Sequence, residues 1–169
     1  MLSGLMESYA DVSKRICNAA IKPTYMKRSS AMATKKPVSK SMRILKLGTC
    51  SSLSGASNLI YHVGYDTEIH FRIWGNSGGG LFGREWVSLA SLQASLETDK
   101  PVTAGTLKRA GVCKGKSANT PGFLLAVLKA EGLVEPLETG GHTKADPSGF
   151  LTEMGKLIDD GTDIQVPTQ

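Results

Sequence analysis

The chain has 169 residues, of which 40% are hydrophobic and 21% charged, with a formal net charge of +5 and three cysteines; this is the composition of a globular protein with a core of ordinary size. No apolar run approaches the roughly 18 residues that a membrane helix needs, and no segment has the basic start, long apolar middle and small-residue cleavage site of a secretory signal. Cys17, Cys50 and Cys113 are odd in number and widely spaced, which argues against a disulfide framework and a paired zinc spacing and for free thiols in a reducing, cytoplasmic setting.

Charge is segregated along the chain. Residues 1–47 hold ten Lys or Arg against Glu7 and Asp11, whereas residues 131–169 hold Lys144 and Lys156 against eight acids. Residues 1–41 turn from a weak apolar pattern at Leu5, Tyr9, Val12 and Ile16 to Ser, Lys and Ala, so they are expected to form a disordered basic tail that cannot offset its chain entropy by burial. Met32, followed by Ala33, Thr34, Lys35 and Lys36, resembles an ordinary translation start. An organellar transit peptide competes with that expectation, with Glu7 and Asp11 against it.

From Met42 to residue 161 one compact domain is expected, and its first part, 42–98, reads as an antiparallel sheet with a helix. Strands are predicted over 43–47, 58–63, 68–74 and 84–88, with Gly48 ending the first and a Ser-rich loop over 50–55. In the third, Ile69, Phe71 and Ile73 alternate with His70, Arg72 and Trp74, giving one core face and one polar-aromatic face. A glycine-rich loop spans 75–83, and Leu89, Leu92 and Leu96 mark a helix. Every connection is local, which suits a four-stranded meander.

The second part, 102–161, is helical. Leu107, Ala110 and Val112 end a first helix; Asn119, Thr120 and Pro121 supply a polar cap and an N1 proline for a second, in which Phe123, Leu124, Val127 and Leu128 precede Gly132. That second helix is apolar all round, a property of buried helices. A strand over 133–138, a turn at 139–141 and a last helix with Phe150, Leu151, Met154, Leu157 and Ile158 follow, started by Asp146-Pro147 and stopped by Gly161. Residues 162–169 read as a frayed tail.

The pattern TLKRAGV followed by FLLAVLKAEGLV resembles the second and third helices of winged helix-turn-helix DNA-binding domains, over residues 103–143. The overall expectation is therefore an α+β fold: a four-stranded antiparallel meander plus helix, then a winged-helix-like helical part. The connection 113–118 is longer than that family's usual turn. Between Lys100 and Lys129 there are six cations and no acid, a span suited to phosphates. The resemblance implies a non-enzymatic DNA-binding protein, a transcriptional regulator or a replication or maintenance accessory factor, associated with the nucleoid. Lys108, Arg109, Lys114 and Lys116 would contact phosphates, and Ser117, Asn119 and Thr120 would approach base edges.

Two alternatives stand beside it. The face of His70, Arg72 and Trp74 would stack bases and contact phosphates of a single strand, and the strand order with WVSLASLQASL is similar to the coactivator PC4 class of such folds. A protein-interaction or dimerisation module would instead use the apolar helix and the acidic last one. The expected partner is thus DNA, duplex favoured over single-stranded, with a homodimer as the second partner. No catalytic set, cofactor or metal is expected. Gly75 to Gly79 is similar to the nucleophile loop of trypsin-like proteases, but His62 and Asp66 precede Ser77 too closely for that architecture. The segment 111–117 is one residue short of a phosphate-binding P-loop and follows no apolar strand.

Overall fold

A computed structural model describes residues 42–113 and 117–166. The basic tail, the start at Met32, Lys114, Lys116 and residues 167–169 lie outside the described residues. The fold is α+β. β1 (Arg43–Ser51), β2 (Asn58–Tyr65), β3 (Ile69–Asn76) and β4 (Val87–Ser88) form one antiparallel sheet in the order β1-β2-β3-β4. Each strand pairs with its sequence neighbour, the arrangement that short local turns permit.

Two departures from the expected strands have identifiable causes. β1 does not stop at Gly48 but runs through it, because that glycine leaves room for the Tyr61 ring to cross the strand: a Cβ there would lie 2.6 Å from Tyr61 Cε2. β4 is only two residues long, since residues 84–86 leave the strand pairing and Arg84 and Trp86 turn their side chains to Trp74 and Arg72 on the outer face of the sheet. The pairing of Tyr61 with Ile73 and Ile60 with Gly75 leaves Trp74 as the extra residue of a bulge, a device that re-aims one side chain.

The inner face of the sheet carries Leu45, Leu59, Val63, Phe71 and Ile73, each at most 1% exposed. Against it pack α1 (Leu89–Leu96), α2 (Ala104–Arg109) and α3 (Thr120–Ala130), with Leu92, Leu107, Leu124 and Leu128 in the same core. α1 starts where Ser88 accepts the amide of Ser91 at 3.1 Å. α3 lies against β1, β3 and α2, and its residues 124–128 are all buried. The hairpin β5 (Val134–Pro136) and β6 (His142–Lys144) follows, turning through Gly140 and Gly141 at φ 90 and 82. Val102 joins it through an antiparallel bridge to His142. α4 (Ser148–Asp159) closes the chain with Phe150 and Met154 buried, and Gly161, at φ 69, ends it. Pro147, not Asp146, holds the cap position of α4. Asp146 still serves the helix start, accepting the Ser148 amide at 3.0 Å and hydroxyl at 2.6 Å, and those bonds hold its carboxyl below the usual range.

The expected frayed end is tied down as far as Ile164. Its amide donates to the Ile44 carbonyl at 2.8 Å, and the Ile44 amide donates to Asp163 Oδ1 at 3.1 Å. One main-chain bond and one bond to a carboxylate satisfy both groups of Ile44 on this strand edge and anchor the polar tail.

Candidate nucleic-acid interface

The outer face of the sheet carries a ladder of alternating rings and guanidinium groups. Arg72 lies between two indoles, its Cζ 4.6 Å from the Trp74 ring centre and 4.4 Å from that of Trp86. Arg84 continues it, 5.2 Å from Trp74 and 5.8 Å from Phe82. Phe82 meets Phe123 edge-on at 6.2 Å. On the outer face the order is therefore Trp86, Arg72, Trp74, Arg84, with each cation over the electron-rich face of a ring; Phe82 and Phe123 carry it on to α3, where both pack against the core.

Three local features build this ladder. The bulge presents Trp74. Gly64 lets Trp86 lie flat on the sheet, since a Cβ there would be 2.6 Å from Trp86 Cη2. His62, paired across the strands with Arg72, underlies the group: its ring stacks on Trp74 at 4.9 Å and its Nδ1 accepts Arg72 Nε at 3.1 Å. Accepting that bond requires an unprotonated Nδ1. Burial, and then the adjacent Arg72 charge, lower the His62 pKa to about 4. Burial and the neighbouring Arg84 in turn lower that of Arg72.

The expected site residues are redistributed. Arg72 and Trp74 belong to the ladder. His70 does not join it: its Nδ1 is 3.0 Å from the Glu68 carbonyl, and Asp66 and Glu68 flank it at 3.8 Å. Lys108 and Arg109 are exposed at the end of α2. Ser117, Asn119 and Thr120, expected at base edges, instead clip the loop of residues 77–86. Ser117 Oγ donates to the Leu81 carbonyl at 2.6 Å and Asn119 Nδ2 donates to the same oxygen at 2.9 Å. Thr120 Oγ1 accepts the Gly83 amide at 2.9 Å, and Thr120 is only 2% exposed. The Asn119 side chain makes no capping bond to α3: its backbone is already helical, at φ -82 and ψ -25, rather than in the extended conformation of a capping residue.

Trp86, Arg84 and Phe82 were missing from the expected site. The signal for them was the run Phe82-Gly83-Arg84-Glu85-Trp86, in which rings and a cation share one parity. Ser77 is a turn residue, its Oγ accepting the Asn58 amide at 2.8 Å.

A second polar group lies on the inner side. Tyr61 Oη donates to Glu131 Oε1 at 2.5 Å, and Lys46 Nζ bridges Glu131 at 2.9 Å and Glu153 at 3.0 Å. The Glu131 side chain is 4% exposed, so these bonds are what make its burial tolerable. Burial first, then Glu131, push the Tyr61 hydroxyl pKa far up; for Lys46 burial opposes the charge, but the two glutamates outweigh it and raise the pKa. This group braces β1, β2, α3 and α4.

Among the described residues no three His, Cys, Asp or Glu side chains are grouped to hold a metal ion, and no helix is long and apolar enough to cross a membrane. The ladder itself offers flat rings and delocalised cations, which recognise planar and anionic groups. No protein-family model, curated protein or solved structure matches the chain.

Proposed function

We propose that this is a non-enzymatic nucleic-acid-binding protein that holds a single strand along the ring and guanidinium ladder of its sheet. The observation that carries this reading is the alternation itself: Arg72 and Arg84 stand between half-buried rings, and the hydrogen-bond partner of Arg72 is an imidazole, so its charge is available to phosphates. Bases stack on aromatic faces whatever their sequence, and the cations follow the backbone. The loop clip joins the ladder segment to the start of α3.

The order of α2, α3, β5 and β6 supports a winged-helix-like scaffold for residues 103–143. Its third helix is used for packing, however, since α3 lies against β1 and β3. For that reason a single strand is preferred here over the duplex. The role would be that of an accessory factor in replication, maintenance or transcription.

The test is a titration of the protein with a fluorescent thymidine oligonucleotide and with a mixed-sequence duplex across a salt series. The single strand is expected to bind more tightly, with log K falling by about 0.7 per phosphate contact for each decade of salt. Trp74→Ala should cost about 1 to 3 kcal/mol of that affinity, alongside a melting curve of the unbound variant. Preference for the duplex, or single-strand affinity indifferent to Trp74, would overturn the proposal.

A further inference from the structure

β1 is an edge strand, and only part of its outer edge is covered among the described residues. The amide and carbonyl of Ile44 point away from β2, to Asp163 and Ile164. Beyond the irregularity between Ile44 and Lys46, β1 pairs Leu47 with His62, Thr49 with Ile60 and Ser51 with Asn58. The amide and carbonyl of Asn58 bond to Ser77, away from β1. Antiparallel ladders alternate bonded and non-bonded pairs, so the residues of β1 whose main-chain groups face outward are Leu47, Thr49 and Ser51.

This stretch lacks the devices by which edges are usually protected. Residues 47–51 contain no charge and no proline, and the nearest cation, Lys46, is already paired with Glu131 and Glu153. Leu47 and Ile60, 46% and 44% exposed, lie on the outer face beside Thr49.

We propose that a second copy of this chain docks on the open edge of β1, pairing residues 47–51 antiparallel with themselves about Thr49. An antiparallel edge is its own complement under two-fold symmetry. Centring on Thr49 sets Leu47 opposite Ser51 of the other copy and uses all three outward residues. It also stops the contact before Ile44, where Asp163 and Ile164 occupy the edge. With no charged side chain in the paired stretch, no like charges meet across the axis, and Leu47 and Ile60 of both copies gather beside it. The axis is normal to the sheet, so both ladders lie on one face of a continuous eight-stranded sheet. The pairing does not depend on the nucleic-acid reading.

The test is light scattering on the full chain, with Thr49→Pro and Thr49→Lys. Thr49 is exposed and its amide faces away from β2, so both variants should keep the parent's fold by circular dichroism, melting lower only by the stability that dimerisation adds. The parent should be a dimer, and both variants should raise the dimer dissociation constant by about tenfold or more. As a positive test, facing residues of a bonded antiparallel pair have Cα atoms about 5.5 Å apart, within disulfide range. Oxidised Thr49→Cys should therefore give a covalent dimer above the background of the parent's own cysteines. A parent that is monomeric at the highest soluble concentration, a dimer unaffected by both variants, or no covalent dimer above background would each overturn the proposal.

Discussion

Gly64→Ala should separate the ladder's role in binding from its role in folding. The added methyl would sit 2.6 Å and 2.8 Å from two atoms of the Trp86 ring and 2.8 Å from Met42 Cγ, so one of these groups must move. Trp86 is half-buried and lies outside the regular strands. It should yield before β2 does, giving up its stack on Arg72. That loss is worth about 0.5 to 2 kcal/mol, partly offset by the roughly 0.5 to 1 kcal/mol that alanine gains over glycine in a strand. The net loss of stability should therefore not exceed about 1.5 kcal/mol. Single-strand binding should lose one stacking platform, about 1 to 3 kcal/mol, or roughly 5- to 150-fold in dissociation constant. Tryptophan emission reports whether the ring has moved, a thermal melt reports the fold, and an oligonucleotide titration reports the affinity. A displaced ring with unchanged affinity would refute the platform role. A loss of stability above about 3 kcal/mol would show that Trp86 belongs to a core.

Other variants probe the remaining contacts. Gly48→Ala should destabilise by about 2 to 5 kcal/mol in urea unfolding, because it drives the Tyr61 ring off its bond to Glu131; in a Tyr61→Ala background its cost should nearly vanish. His62, with its pKa lowered from 6.5 to about 4, stays neutral in the fold while the unfolded chain takes up a proton. Stability should therefore fall by up to about 3 kcal/mol as pH drops from 6.5 to 4 and lose nothing further from this group below that, and urea midpoints for His62→Gln should lack this component. Asn119→Ala and Ser117→Ala each remove a donor to the Leu81 carbonyl, so hydrogen exchange at the Gly83 amide should quicken at a cost of about 0.5 to 1.5 kcal/mol each. Met154→Ala should cost about 2 to 5 kcal/mol, since Met154 is fully buried, and Leu157→Ala less, since Leu157 is only partly buried.

The meander was legible in the sequence because alternation over Ile69 to Trp74 is a period-two signal and its connections are short. Helix limits were legible where a residue has one dominant local effect, as Pro121 does at the start of α3 and Gly161 after α4. Gly48 misled because an isolated glycine reads as an interruption, and only the distant Tyr61 ring explains its place within a strand. Ser117 and Asn119 misled for a related reason. Short polar side chains before a helix look alike whether they cap it, face solvent or hold another loop, and their partner at Leu81 is remote in sequence. The ladder was half legible: Arg72 and Trp74 share a strand, but Trp86, Arg84 and Phe82 join them through an irregular segment and the space above Gly64.

The all-round apolarity of α3 was the sequence feature with the strongest bearing on function. Residues 124–128 are each at most 3% exposed, because the sheet lies on the side of the helix that α2 and β5 leave open. Seating α3 in a major groove would require parting it from β1 and β3. Each large apolar side chain exposed in this way forfeits about 1.5 to 3 kcal/mol, whereas a well-made paired contact to a base returns about 1 to 3 kcal/mol. The polar residues at its start cannot supply several such contacts, since Thr120 is buried and Ser117 and Asn119 already bond to Leu81. Insertion would thus lose on both sides of the comparison. The ladder needs no such rearrangement: its rings are half-buried on the outer face, with Arg72 and Arg84 already held against them. In the proposed reading a strand of bases would meet these groups in place, and for that reason we favour the single strand over the duplex.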